Sequence, residues 1–324
     1  NDWRTCGNHP LAPVTRHNGA MTTPLVTVVG SINQDITVTV DRFPAPGETL
    51  LGSSVDHRLG GKGANQAVAV ARTGVRSRFV GLTGEDAAAD ALTAEMVRYG
   101  VDVEFLARTP AAPTGSAHIT VDAAGENTII VVPGANAEVT PQHADPESPA
   151  IAEADILVAQ CEVPLPAVAA ILAAGRSLGT PVVLNLAPAV PLAHEHLEDL
   201  AVLVVNETEA MLTLGETGAP STVDEAIAVA HRLRGLGPRS VVVTLGADGA
   251  VFAGDGGAAG HVPGHRVERV VDTTGAGDAT VGVLAAGIAS GLPLAVALDR
   301  AMAAGAAAVQ RKGAAASYPE FSLT

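Results

Sequence analysis

The segment VDTTGAGD, residues 271–278, stands between a β-type run at 269–271 and a long alanine-rich run that is predicted to form a helix from about Ala276. At such a junction the backbone N–H groups of Gly275, Ala276 and Gly277 have no partner within the helix. With the helix dipole behind them, these groups hold a phosphate or a developing oxyanion, and glycine lets the backbone approach the ligand closely. The segment therefore predicts an anion site where a strand-like run meets a helix.

Asp278 lies in the first turn of that helix, within reach of any anion that the amides bind. Because the ordinary pKa of an aspartate is about 3.9, its carboxylate is ionised and can accept a proton from an attacking hydroxyl. The alternative is that Asp278 is only an N-terminal helix charge, which is common. Short glycine motifs recur by chance, so the segment taken alone supports both interpretations about equally.

The composition limits the class of protein and its partners. The chain has 324 residues, 47% of them apolar and only 2% aromatic, which suits one large α/β domain or one domain with a small appendage. The net charge of −15 argues against nucleic acid or an anionic membrane as a partner, because both need a basic face. Cys6 and Cys161 are too few for a disulfide framework, and no apolar run is long enough for a transmembrane helix. We therefore expect a cytoplasmic protein.

Residues 1–20 differ in kind from the rest of the chain. They hold the only tryptophan, Trp3, and show no hydrophobic periodicity, whereas a clear strand pattern begins soon after Met21. We predict that residues 1–20 are a disordered or peripheral extension and that residues 21–324 form the α/β domain.

The first strand pattern leads directly to a pair of polar side chains. Residues 25–30 (LVTVVG) are typical of a buried parallel strand, and Asn33 and Asp35 come after it, two residues apart. If the extended backbone continues, both side chains point to one side and can chelate adjacent hydroxyls of a sugar. An Asx-type turn after the strand is the alternative.

A glycine-rich stretch, GGKGANQA at residues 60–67, is predicted to open a helix that continues to about residue 73. It matches neither the phosphate loop of P-loop proteins nor G-x-G-x-x-G. Its glycines allow a close approach of the backbone, and Lys62 and Asn65 supply hydrogen-bond donors. We expect Asn65 to face the same opening as Asn33.

Two hairpin patterns without helices interrupt the first half of the chain. Strands are predicted at 36–40 and 48–55 around the turn PAPG, and at 115–121 and 127–132 around a second turn. Since neither pattern belongs to a β-α alternation, they predict one small β-sheet lid built from two insertions, at about 36–57 and 105–133.

From residue 155 onward, strand and helix patterns alternate, which predicts a mostly parallel sheet with helices on both faces. Polar or glycine-rich residues stand at the ends of several of these strands, which suggests one functional rim. They are Gln160, Glu162, Asn185, 206–209 and 244–249. Asn206 and Glu209, at i and i+3 on a helix start, could hold a hydrated Mg²⁺ beside phosphates. An N-cap asparagine with a first-turn glutamate is an equally supported alternative.

Taken together, these segments resemble the ribokinase branch of the PfkB carbohydrate kinase family over residues 25–319. The resemblance is carried by GSINQD at 30–35, PGET at 46–49, GGKGANQA at 60–67, PGAN at 133–136, NETE at 206–209, DTTGAGD at 272–278, and RKG at 311–313 with Ser317. It implies a ribokinase-like α/β fold and ATP-dependent phosphorylation of the 5-hydroxyl of a pentose, with D-ribose as the expected substrate.

The resemblance also implies a role for each matching residue. Asp278 would be the general base, with Gly275, Ala276 and Gly277 as the anion hole. The sugar would be held by Asn33, Asp35, Gly61, Lys62, Gly63, Asn65, Glu162 and Asp278. The nucleotide would contact Asn206, Thr244, Leu245, Gly246, Ala247, Asp248, Gly249 and Gly277. An activating K⁺ would be held by Asp272, Thr274, Ala308, Arg311, Gly313 and Ser317, and Mg²⁺ would be held through water by Glu209.

The chain departs from the family pattern at two places that bear on nucleotide binding. Ala279-Thr280-Val281 stands where an aromatic residue is usual, and Met302 stands where a polar side chain often meets adenine. Other members of the family, such as deoxyribokinases, fructokinases and nucleoside kinases, are the nearest alternatives, and a non-catalytic sugar-binding module is an alternative of another class.

Exposed lid strands also predict a homodimer formed through the lid.

Overall fold

The computed structural model describes residues 23–198 and 200–323. The predicted N-terminal extension, residues 1–20, lies outside these ranges. The strands are β1 (Leu25–Val29), β2 (Asn33–Thr39), β3 (Ser54–Gly60), β4 (Arg76–Gly84), β5 (Val101–Asp102), β6 (Leu106–Thr109), β7 (Gly115–Val121), β8 (Asn127–Val132), β9 (Ile156–Gln160), β10 (Val182–Asn185), β11 (Val202–Asn206), β12 (Ser240–Thr244), β13 (Ala250–Ala253) and β14 (Ala259–Val262). The helices are α1 (Lys62–Ala71), α2 (Ala87–Arg98), α3 (Pro149–Ala152), α4 (Leu165–Leu178), α5 (Glu207–Thr213), α6 (Val223–Arg234), α7 (Ala276–Ala289) and α8 (Leu294–Ala308).

Within the described residues, ten strands form the central sheet, in the order β14-β13-β12-β11-β10-β9-β1-β4-β5, with β6 paired to β4. The neighbours from β12 to β5 run parallel, and β6 is parallel to β4. The strands β13 and β14 add an antiparallel edge. This arrangement confirms the predicted mostly parallel sheet, and it brings the carboxyl ends of β1, β9, β10, β11 and β12 to one edge.

Alternate residues of each parallel strand pack against helices on opposite faces, because successive side chains of a strand point to opposite sides. Val28 belongs to a buried cluster with residues of α1, α2, α7 and α8. Val29 belongs to a second cluster with residues of α3, α4, α5 and α6. The predicted helices on both faces are therefore present, and the sheet is covered on each side by apolar layers rich in alanine, valine and leucine.

The small sheet forms from four of the described strands, in the order β3-β2-β7-β8. The strand β2 pairs antiparallel with β3 and parallel with β7, and β7 pairs antiparallel with β8. The two predicted hairpins thus join into one sheet. Residues 106–109, which fall within the second predicted insertion, pair instead with β4 of the central sheet, so the small sheet takes only the later part of that segment.

Three predicted strands differ from the structure. The run at 48–55 is not a strand over most of its length, because Glu48 closes the turn by accepting from Ala45 N–H at 2.9 Å and pairing with Arg42. Residues 101–106, which the sequence predicts as one strand, break into β5 and β6. The run at 269–271 has no strand partner, since Val271 N–H donates instead to the carbonyl of Val309 after α8, at 2.7 Å.

No helix in the described part of the chain combines the length and apolar character required to cross a membrane.

Candidate active site

The start of α7 forms the centre of the site. Gly275 precedes the helix in the left-handed region, with φ 78°, and no described side chain caps the helix there. A Cβ at this position would lie 2.7 Å from Ala314 Cα and 2.7 Å from the Tyr318 hydroxyl. The same hydroxyl donates to the Gly275 carbonyl at 2.6 Å. One predicted amide is already engaged, because Ala276 N–H donates to Thr273 at 3.3 Å. The residues 275–277 therefore form a tightly packed helix start.

Asp278 lies in the first turn of α7 and is 7% exposed. Its two carboxylate oxygens accept hydrogen bonds from α1: Asn65 Nδ2 donates to Oδ2 at 3.0 Å, and Gln66 Nε2 donates to Oδ1 at 3.0 Å. Burial raises the pKa of Asp278, against the lowering effects of the nearby Lys62 ammonium and of these two hydrogen bonds. The side chain is thus fixed in direction, and its basicity is increased relative to an exposed aspartate.

Gln66 is part of a buried amide network to which the sequence interpretation gave no role. Gln160 Nε2 donates to Gln66 Oε1 at 2.7 Å, and Gln66 Nε2 also donates to Asn185 Oδ1 at 3.1 Å. Gln160 and Asn185 were recognised only as polar strand ends. Since Gln66 stands between these two strand ends and Asp278, the network fixes the orientation of the carboxylate.

Asn33 and Asp35 lie two residues apart on β2, so the extended backbone predicted for them is present and the Asx-turn alternative is not. Asn136 holds the start of this strand: its Nδ2 donates to Asn33 Oδ1 at 2.8 Å, and its Oδ1 accepts from Ile32 N–H at 2.9 Å. Asn136 belongs to the PGAN motif, and its role was not predicted. Burial, followed by the charges of Glu162 and Asp278, raises the pKa of Asp35 to about 7.

Glu162 fixes the start of α1. Its Oε2 accepts from Ser31 Oγ at 2.6 Å and from Lys62 N–H at 3.0 Å. Gly61 before the helix has φ 87°, and a Cβ there would meet Ile32 Cα at 2.8 Å. Gly63 is equally confined, since a Cβ would meet the backbone of Ser31 at 2.7 Å. The glycines of this motif are therefore needed for close packing of α1 on the end of β1.

Lys62 is surrounded by acidic groups that come from separate segments. Burial lowers the pKa of its ammonium, but the charges of Asp278, Glu162 and Glu209 raise the pKa more, and the net shift is upward. Lys62 is thus held in the charged form. Its neighbours show that α1, β9, α5 and α7 meet at one place, as the positions of the polar residues along the chain predicted.

A cavity of about 360 Å³ adjoins the start of α7. Of the predicted nucleotide residues, it is lined by Thr244, Gly246, Ala247, Gly249 and Gly277. Leu245, Asp248 and Asn206 are not among its lining residues. Met302 and Thr280 contribute to its wall, together with Val267, Val270 and Val309, so much of the wall is apolar.

Asn206 and Glu209 form a reciprocal helix cap. Asn206 Oδ1 accepts from Glu209 N–H at 2.8 Å, and Glu209 Oε2 accepts from Asn206 N–H at 2.8 Å. The capping alternative is therefore realised, although only one oxygen of Glu209 takes part in it. Burial raises the pKa of Glu209, the hydrogen bond from Asn206 and the charge of Lys62 lower it, and the net shift is upward. No group of three or more His, Cys, Asp or Glu side chains is placed to hold a metal among residues 23–198 and 200–323.

The residues predicted to hold K⁺ come from two segments that the structure brings together. Asp272 Oδ1 accepts from Thr274 N–H at 2.9 Å, and Asp272 Oδ2 accepts from Gly313 N–H at 2.9 Å. Ser317 is fully buried in the same loop, and its hydroxyl donates to the Ala314 carbonyl at 2.7 Å. Carboxylate and backbone carbonyl oxygens are hard donors, the type that suits an alkali cation. The oxygen atoms of these residues are therefore of the type that fits K⁺.

Lys62 and the carboxyl groups of Asp35, Glu162 and Asp278 lie together beside the start of α7, an arrangement that can bind a phosphate and accept the proton of an alcohol. The model of the pfkB family carbohydrate kinase matches residues 23–320. A ribokinase of Schizosaccharomyces pombe is 36% identical over 303 residues, covering 91% of this chain and 95% of that protein. A ribokinase of Staphylococcus aureus is 38% identical over 298 residues, covering 91% and 96%.

Among solved structures, that of Arabidopsis thaliana ribokinase complexed with ribose and ATP superposes with a TM-score of 0.85 at 32% identity, covering 92% of this chain and 96% of that one. The chain belongs to the pfkB family of carbohydrate kinases. It is an ATP-dependent carbohydrate kinase with the ribokinase-like fold.

Proposed function

We propose that this kinase phosphorylates the 5-hydroxyl of D-ribose to give ribose 5-phosphate and ADP. The position of Asp278 carries the proposal: a buried carboxylate of raised pKa, oriented by two amide side chains, lies at the start of a helix and within electrostatic range of Lys62. Such a group can remove the proton of a hydroxyl as the oxygen attacks phosphorus. The two ribokinase relatives and the complex with ribose and ATP support ribose as the sugar.

The sugar-side residues would hold ribose through paired hydrogen bonds. Asn33 and Asp35 project from the same face of β2 and can bind neighbouring hydroxyls. Lys62 and Asn65 add donors from α1, and the confined glycines Gly61 and Gly63 let the sugar approach the backbone. This arrangement would place the hydroxyl near Asp278, because Asn65, one of the proposed sugar ligands, donates to that carboxylate.

ATP would occupy the cavity beside α7, with its terminal phosphate at residues 275–277. Phosphoryl transfer depends mainly on alignment and on neutralising charge at the phosphate oxygens, which the helix start and Lys62 can supply. Mg²⁺ bound with ATP supplies further charge neutralisation, and Glu209 would hold it through water with the carboxylate oxygen that is not used in the cap. K⁺ would be held by the loops of Asp272 and Gly313, where it would order the helix start.

The sugar and the cation are tested together by measuring ADP release with ribose, deoxyribose, fructose and adenosine, each with and without K⁺. We expect the highest kcat/KM with ribose and a lower rate in K⁺-free buffer. A preference for deoxyribose, fructose or adenosine would assign the corresponding alternative within the family. Binding of ribose with no ADP release from any sugar would instead support a non-catalytic sugar-binding module, and equal rates with and without K⁺ would remove the cation assignment.

Ribose binding is expected to weaken as the pH falls below about 7, where Asp35 gains a proton. The sign comes from burial, which raises the folded-state pKa above that of the unfolded chain, so the folded protein binds the extra proton between the two values. The free energy of unfolding therefore decreases as the pH rises through the interval between these two pKa values, whereas sugar binding needs the ionised form of Asp35.

Calorimetric titration of ribose at several pH values checks the expected weakening of ribose binding, with Asp35→Asn as the variant that lacks this titration. A constant affinity of the unmodified protein between about pH 6 and 8 would contradict the role of Asp35.

We also propose that a second copy of the chain covers the outer strand of the small sheet. The strand β8 is an edge strand, and its Ile129, Ile130, Val131 and Val132 are all exposed, with Ile130 at 68%. An unpaired, apolar edge of this kind favours association with another sheet edge. Sedimentation of the protein should give a dimer mass, and Ile130→Lys should shift it toward the monomer mass. A monomer in both cases would contradict this assignment.

We also propose that the reaction takes place in the cytoplasm.

A further inference from the structure

Arg58 connects the small sheet to the loop after α8. Its Nη1 donates to the carbonyl of Lys312 at 3.3 Å. On one side of this contact, β3 continues through Gly60 into α1, which carries sugar-side residues. On the other side, Lys312 precedes Gly313, whose N–H group is bound by Asp272. The contact therefore joins two halves of the site: the sugar side, which α1 carries, and the loop after α8, which Asp272 holds next to the start of α7.

Asp56 fixes the direction in which Arg58 points. Arg58 Nε donates to Asp56 Oδ2 at 2.8 Å, and Nη2 donates to the same oxygen. Because a guanidinium group is planar and rigid, two bonds to one neighbour set its plane and leave Nη1 directed at the loop. The group also lies against Gly313, where a Cβ would meet Nη1 at 2.9 Å. The arginine is thus aimed by its own strand rather than held only by the loop.

The loop is in turn tied to the start of α7 by two sets of bonds. Asp272 accepts from Gly313 N–H and from Thr274 N–H, each at 2.9 Å. Further along the loop, the Tyr318 hydroxyl donates to the Gly275 carbonyl at 2.6 Å. A displacement of the loop would therefore move the residues that place the helix amides. A displacement of β3 would reach the loop through Arg58.

We propose that Arg58 is a positioning residue that couples the sugar side of the site to the phosphate side, so that binding of one substrate raises the affinity for the other. The inference rests on the proposed function, because it takes the small sheet as the sugar lid and the start of α7 as the phosphate site. Coupling between two ligands is a free energy that appears equally in both affinities. A side chain that contacts both halves can transmit it, and the Arg58 side chain is such an element.

The test measures the dissociation constant of ribose by calorimetry in the absence and in the presence of saturating ADP, which avoids turnover. The coupling factor is the dissociation constant of ribose without ADP divided by the constant with ADP. Arg58→Met keeps the length of the side chain and removes its donors, and it is expected to lower the coupling factor about fivefold while changing the affinity for ribose alone by less than about twofold. Arg58→Lys, which retains one donor for the Lys312 carbonyl, is expected to give an intermediate factor.

Arg42→Met is the matched control. Arg42 also belongs to the small-sheet region, but its hydrogen bonds go to Phe43 and Glu48 within that region, so the variant removes the same charge and should keep the coupling factor. An unchanged factor in Arg58→Met, an equal loss in Arg42→Met, or a factor of one in the unmodified protein would overturn the proposal. An unmodified protein that binds neither ribose nor ADP would refute the proposed function itself, which is a different outcome.

Discussion

Asp278→Asn is expected to lower the turnover of sugar phosphorylation by at least about a hundredfold while leaving the fold and ribose binding in place. An amide has no proton affinity near neutral pH, so the attacking hydroxyl would lose its acceptor. The change is nearly isosteric, and Oδ1 of the new side chain can still accept from Asn65 or Gln66, the two donors that now hold the carboxylate. Turnover is measured by ADP release, ribose binding by calorimetry, and folding by thermal unfolding.

Asp90→Asn is the control for the loss of one carboxylate. Asp90 lies on α2, where it is paired with Arg108 at 2.6 Å and is exposed, so its replacement removes the same charge away from the site. This variant should retain normal turnover. If Asp278→Asn kept turnover within about tenfold of the unmodified protein, Asp278 could not be the base. A role of Asp278 as a helix charge alone predicts a different result, because the loss of an N-terminal charge would change stability and leave the chemistry intact.

The glycine segments could be interpreted from the sequence because their chemistry is local. Gly275 and Gly61 each adopt positive φ directly before a helix, a conformation that glycine takes without strain. The spacing between Gly275 and Asp278 then places the carboxylate in the first helical turn. In the same way, the alternation of Asn33 and Asp35 needed only an extended backbone to share one face.

The amide network could not be predicted in this way, because its members meet only through the order of strands in the sheet. Gln66, Gln160 and Asn185 lie on α1, β9 and β10, and nothing near each of them indicates its partner. The same holds for Asn136, which donates to Asn33 although the two residues are 103 positions apart in the chain. Gln160 and Asn185 were visible as polar strand ends, and Gln66 and Asn136 as members of sequence motifs, but the function of each depends on contacts that are distant in the chain.

The two interpretations of Asn206 and Glu209 show a different limit. Their spacing fits both a helix cap and a shared ligand, since both need two polar side chains on the same side of a first turn. The structure contains the cap, and the pKa of Glu209 is nevertheless influenced by Lys62 and Asp278. A residue can therefore complete a helix and remain part of a charged site, and the sequence alone does not separate these roles.

Gly275→Ala is expected to lower kcat by about a hundredfold, because it disturbs the amides at the start of α7 rather than any reacting side chain. Alanine at φ 78° costs about 1 to 2 kcal/mol of conformational energy. In addition, its Cβ would lie 2.7 Å from the Tyr318 hydroxyl, which donates to the Gly275 carbonyl. The loop or the helix start must therefore shift. The measurement is kcat for ADP release, with the free energy of unfolding determined on the same samples.

Gly100→Ala separates the two causes, strain and displacement. Gly100 has φ 86°, and nothing lies within 4 Å of a Cβ placed there, so the variant has the same conformational cost without a clash, at the turn between α2 and β5 rather than before α7. It should be destabilised by a similar conformational term while keeping normal kcat. A loss of kcat in Gly275→Ala that is absent in Gly100→Ala would assign the effect to the geometry of the helix start. Equal kcat values in both variants would mean that transfer does not depend on the placement of these amides, and the anion hole would have to be sought elsewhere around Lys62.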